Sequence, residues 1–237
     1  MMRASCNYRG FSRGPNKSMR SYFVAIAFSL ISLNAYAGWF GFGGDSWQEE
    51  VLLHDGIKLV VERQIERGGR HEIGQKPSYI RQTISFKHPA SDRQIVWEDK
   101  ATPDLGNSNF LPMALDIYQE TIYLVAVPMG CAAANKWGRP NPPYVVFKYA
   151  GNTWEGIPLK ELPSETKAPN LIFSSPDTEI ERLGKHFVDA EEIKSITSNY
   201  SLPHYRTILR EPLPDSQLCP DWASERYRSP KPPLPIN

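Results

Sequence analysis

Histidine, cysteine and carboxylate side chains are the groups of this chain best able to carry a reaction, and their spacing matches none of the common catalytic patterns. The five histidines are His54, His71, His88, His186 and His204. No two stand at i+2, i+3 or i+4, where one strand or helix face would present both to a metal ion. His71-Glu72 opens like the zinc-protease motif H-E-x-x-H, but Gln75 stands where the second histidine belongs, and Gly68, Gly69 and Gly74 oppose the required helix. No serine sits in a G-x-S-x-G elbow; Ser46, in Gly44-Asp45-Ser46-Trp47, lacks the second glycine. Adjacent carboxylates recur at Glu49-Glu50, Glu98-Asp99 and Glu191-Glu192. A glycosidase is defined by a separation in space, and neighbours in sequence read as solvated faces or helix N-termini. A Ser-His-Asp triad gathered from distant positions leaves no mark in one sequence. No catalytic, cofactor-binding or metal-ligating residue is assigned, and no cofactor is expected.

The cysteines are read through an export signal. Arg20 supplies a positive start after Met19, Tyr22 to Leu33 is an apolar run without charge, and Ala35-Tyr36-Ala37 is a small-x-small cleavage box before Gly38. The run is about 12 residues, short of the roughly 20 that span a bilayer. No cysteine follows it for a lipid anchor, and no twin arginine precedes it. Translation is expected to begin at Met19, with residues 1–18 a mis-annotated start. Removing residues 1–37 takes Arg3, Arg9, Arg13, Lys17 and Arg20 and no acid, so the net charge falls from +1 to −4. That balance gives no electrostatic footprint for nucleic acid. Cys6 leaves as well, and Cys131 with Cys219 remain as an even pair in an oxidising compartment. They are predicted to form a disulfide. No C-x-x-C motif suggests a redox site.

One segment offers a binding surface. Gly130 to Tyr144 (GCAAANKWGRPNPPY) joins two strand patterns, with Cys131 at its start and Trp137 and Arg139 in its middle. A long loop inside a compact domain is usually functional or disordered. Trp and Arg most often anchor interfaces. Trp137 and Arg139 are the candidate binding residues; the plainer role for Trp137 is a lid folded over one end of a sheet.

The elements that must position these groups are strands. Leu59 and Val61 alternate with Lys58, and Ile80, Ile84 and Phe86 face away from Arg81, Thr83 and Ser85. Gln94 to Trp97 follows the turn Ser91-Asp92-Arg93. Met113 to Tyr118 and Thr121 to Val127 flank Gln119-Glu120; Tyr144 to Tyr149 and Thr153 to Leu159 flank Ala150-Gly151-Asn152. The last hairpin resembles two strands of a propeller blade, although no repeating period accompanies it. The fold class expected is mainly β: an antiparallel meander, as a sandwich, an open barrel or a few propeller-like blades, with one or two short C-terminal helices. Ser175-Pro176 to Leu183 before Gly184 predicts one helix, Asp189 to Thr197 a second, and Arg206 to Arg210 a last strand.

The expected organisation is a signal over 1–37, a glycine-rich leader over 38–46, one β-rich domain over 47–228 and a proline-rich tail over 229–237. The expected function is an exported cell-envelope protein, periplasmic or secreted, acting as a non-catalytic binding module for another envelope protein or a glycan. Neither a nucleic-acid partner nor a membrane span in the mature form is expected. The alternative is an exported hydrolase with a dispersed site acting on glycan or peptide, which a His–Asp pair near 3 Å in a pocket would favour.

Overall fold

The protein is described from a computed structural model over residues 45–69 and 71–223. The signal, residues 38–44 of the leader and the tail 229–237 lie outside the described residues.

Two sheets carry the fold. Asp45–Leu52 (β1), Lys58–Gly68 (β2), Ser78–Lys87 (β3) and Gln94–Lys100 (β4) form an antiparallel run, extended by the two-residue strand Phe187–Val188 (β9), which lies parallel to β1. Phe110–Tyr118 (β5), Thr121–Pro128 (β6), Val145–Ala150 (β7) and Thr153–Ile157 (β8) form a second, four-stranded meander. Among the described residues no barrel closes; the arrangement is sandwich-like, with short helices Gly130–Lys136 (α1), Pro176–Leu183 (α2) and Ala190–Ser198 (α3).

Sequence pattern and burial agree strand by strand. Leu59 and Val61 of β2 are buried while Lys58 and Val60 are exposed, the alternation of a strand with one wet face. β5 and β6 read as near-continuous apolar runs because both faces are covered. One face meets Val61, Ile84, Phe86 and Trp97 of the first sheet through Leu115, Ile122 and Leu124. The other carries Met113, Val125 and Val127 under Leu162, Phe173 and Ile208 of the C-terminal segment. A third cluster seats Ile180 of α2, Val188 and Ile193 of α3 on Trp47, Ile65 and Tyr79.

The hairpin turns follow the right-handed twist of their strands. Gln119 and Glu120 have φ of 48° and 65°, and Gly151 and Asn152 have 54° and 73°, the two-residue turn with both central residues left-handed. Asn152 suits that conformation; Gln119 and Glu120 are held in it by strands buried on both faces.

The sandwich is sealed on its β1–β5 side by residues 170–173. Leu171 and Ile172 are fully buried. Asn170 acts as a piece of strand: its amide donates to the carbonyls of Leu52 (3.0 Å) and Leu115 (2.8 Å) and its oxygen accepts from Leu115 N (2.9 Å). On β1, buried Glu49 accepts from Ile172 N (3.0 Å), Trp47 Nε1 (2.7 Å) and Arg63 Nη1 (3.0 Å). Burial pushes the Glu49 carboxyl up, opposed by Arg63 and the two N–H donors.

Three local expectations differ. Gly130 to Lys136, read as loop, forms α1. Arg206 to Arg210 pairs in no sheet; side chains pin it, with Tyr144 donating to the carbonyls of His204 (2.8 Å) or Thr207 (3.1 Å) and accepting from Leu209 N (3.2 Å). Burial pushes the Tyr144 hydroxyl up to about 12. Ser175 precedes α2 with φ of 48° and makes no side-chain cap, while Gly184, φ 64°, ends that helix as expected. Asp189 caps α3 through Glu192 N at 2.9 Å.

Candidate functional site

Two surfaces gather groups able to bind, one at the predicted Trp137 segment and one that sequence did not indicate.

The first is a clasp between α1 and residues 219–222. Cys131 and Cys219 stand at disulfide distance, sulfurs 2.15 Å and Cα atoms 5.2 Å apart across 88 residues. Asn135 donates to the carbonyls of Cys131 and Pro220 (both 2.9 Å) and accepts from Trp222 N (2.9 Å). Arg139 donates to the Cys219 carbonyl through Nε (3.3 Å) and Nη2 (3.0 Å) and lies 3.5 Å from Asp221. Both predicted residues therefore have internal partners. Trp137 donates its indole N–H to Asn109 (3.2 Å), and its ring lies 4.7 Å from that of Phe110. It is still 42% exposed, and Trp222, on the same clasp, is 49% exposed. The result is an indole fixed on one side and open on the other. Asn135 and Trp222 carry no motif; their role comes from the cysteine pairing, which brings residues 219–222 onto α1.

The base of the clasp is fixed through Asn109. Asp99 accepts from Asn109 N (2.7 Å), Asn109 Nδ2 (2.9 Å), Phe110 N (2.9 Å) and Gln82 (3.1 Å). Burial raises its carboxyl against these donors. The Trp137 indole thus rests on a chain of buried bonds that ends in β3 and β4.

The second surface is a groove between the end of β1, the 165–170 loop and α3. A hollow of about 260 Å³ is lined by Leu52, His54, Asp116, Lys167, Ile193 and Lys194 among others. His54 Nδ1 lies 2.8 Å from Asp116 Oδ1, and Thr166 donates to Asp116 Oδ2 at 2.6 Å. The bond to Asp116 raises the His54 pKa above its ordinary value, with burial opposing. A second hollow of about 500 Å³ shares Ala168, Pro169 and Lys194 with the first and runs on to Arg206. His54 and Asp116 are 62 positions apart, so only the tertiary fold reveals the pair.

Among the described residues no group of three or more His, Cys, Asp or Glu side chains is placed to hold a metal ion. Nor is any helix there long and apolar enough to cross a membrane. No family model, curated protein or solved structure matches the chain.

Proposed function

We propose that this is an exported cell-envelope protein, periplasmic or secreted, that works by non-catalytic binding, and that the clasp bearing Trp137, Arg139 and Trp222 meets its partner. The supporting observation is the pair of half-exposed tryptophans on a segment held by side-chain bonds and a cysteine pair at bonding distance. Indoles are costly to leave in water and are the commonest interface anchors. An anchor already fixed in its bound geometry loses little freedom on binding. Another envelope protein suits such an anchor best; a glycan is the other candidate. The cysteine pair is compatible with an oxidising compartment. The test is a pull-down from envelope extract with the parent and with Trp137→Ala/Trp222→Ala. A partner retained by the parent and lost by a folded double variant supports the proposal. A partner retained equally by both overturns it.

A second reading, an exported hydrolase, is favoured by the His54–Asp116 pair in its hollow. Against it, among the described residues no serine or cysteine lines that hollow, and the Thr166 hydroxyl is engaged with Asp116 rather than His54. Turnover of a peptide or glycan reporter that His54→Ala abolishes would establish this reading in place of the first.

A further inference from the structure

We infer that the groove holding Lys167, Lys194 and Arg206 binds an extended acidic segment of polypeptide, at a site separate from the clasp. All three side chains are exposed, and among the described residues none has a hydrogen-bond or ion-pair partner. Many cations elsewhere are matched, among them Lys58 to Glu50, Lys76 to Glu181, Lys136 to Asp104 and Arg182 to Glu179. In a chain whose exported form would carry −4, three unmatched cations along one concavity are a local concentration of positive charge. The acids beside them are largely engaged. Glu50 holds Lys58, and Asp116 holds His54 and Thr166; Glu165 accepts only a serine hydroxyl, from Ser164. Those three acids line only the first hollow; the second, with Lys194 and Arg206 and no acid in its lining, carries the positive charge that an anionic ligand would neutralise.

The shape fits an extended ligand. The two hollows share Ala168, Pro169 and Lys194, so the surface continues from Lys167 past Lys194 to Arg206. Its floor is apolar at Leu52, Pro169 and Ile193, where the methylenes of glutamate side chains can lie. Lysine ammonium groups are point charges that take carboxylates singly, as a run of acidic residues presents them. Sugar rings are usually gripped by an aromatic face, and among the described residues no Trp, Tyr or Phe lines either hollow. These features favour an acidic peptide over an acidic glycan.

The test is fluorescence anisotropy with a short labelled peptide of alternating glutamate and alanine, on the protein as its host processes it, at low salt. An exposed ion pair is worth little, so each cation replaced by alanine should weaken binding about two- to fivefold, and all three together about tenfold or more. Binding should weaken with added salt. Lys148→Ala/Lys160→Ala, which removes two cations outside the groove whose side chains have no partner among the described residues, should leave it unchanged, and thermal melting reports that each variant is folded. Absence of peptide binding, or equal loss in the control variant, overturns the inference. So does an acidic polysaccharide that outcompetes the peptide at equal charge. Trp137→Ala/Trp222→Ala should not alter peptide binding, which separates failure here from failure at the clasp.

Discussion

Glu49 and Arg63 make the sharpest prediction about stability. Both are buried, at 0% and 1% exposure, and they share one salt bridge at 3.0 Å. Glu49→Leu leaves a guanidinium inside the sandwich without its counter-charge, which costs about 3–5 kcal/mol. For a domain of this size that is a fall in Tm of roughly 6–20 °C. Arg63→Met leaves the carboxylate instead. Burial already raises that carboxyl, and without Arg63 it rises further. A group whose folded pKa is raised favours the folded state while protonated, so this variant should lose stability as pH climbs above about 4.5, where the unfolded carboxyl ionises. The double variant removes both charges. What remains is the loss of an acceptor for Ile172 N and Trp47 Nε1, about 1–3 kcal/mol each. The double variant should therefore cost about as much as one single variant, a coupling of about 2 kcal/mol or more. Urea unfolding of the four proteins at neutral pH, with Arg63→Met repeated in mild acid, measures every quantity. Single variants within about 1 kcal/mol of the parent, or costs that add to within about 0.5 kcal/mol, would refute the view that this pair closes the seam.

Two further outcomes follow from the same geometry. Reducing the cysteine pair, or Cys131→Ser, opens a loop of 88 residues and should cost about 4–5 kcal/mol by chain entropy, read as a shift in urea midpoint with and without reductant. No shift would mean that the pair does not bridge in solution. His54 has a raised folded pKa through its bond to Asp116, so the stability it adds is full below about pH 6.5 and is lost as pH rises through the folded value. The Tm of the parent should fall relative to His54→Gln across that window, and parallel pH profiles would contradict the assignment.

The strands were legible because alternation is a local signal. Leu59 and Val61 against Lys58, or Ile84 and Phe86 against Ser85, specify which face is buried whatever lies across from it. The cap of α3 at Asp189 was legible for the same reason, since its partner is three residues away. What sequence hid depends on distant contacts. Gly130 to Lys136 is too short and glycine-led to read as a helix. It is held by the cysteine pair, by Asn135 bonded to Pro220 and by Lys136 reaching Thr102 and Asp104. Two-residue β9 exists only because β1 offers an edge. Arg206 to Arg210 has the apolar content of a strand, but the hydroxyl of Tyr144 and backbone bonding to Lys167 hold it where a sheet would. Of the candidate surfaces, Trp137 and Arg139 were visible as residue types in a long connection. The groove was not visible, because Lys167, Lys194 and Arg206 are ordinary surface residues until the fold aligns them along one concavity.

The central proposal is that the clasp is a binding face, and photocrosslinking in the intact cell tests it most directly. A photoreactive phenylalanine replaces Trp222 in one protein and Val60 in another. Val60 is exposed to a similar degree, 45%, on the open face of the five-stranded sheet. Irradiation should give a discrete higher-mass adduct from position 222 that is absent from position 60 and disappears when Trp137→Ala is added. An adduct at position 60 alone, at both positions equally, or at neither would contradict the proposal.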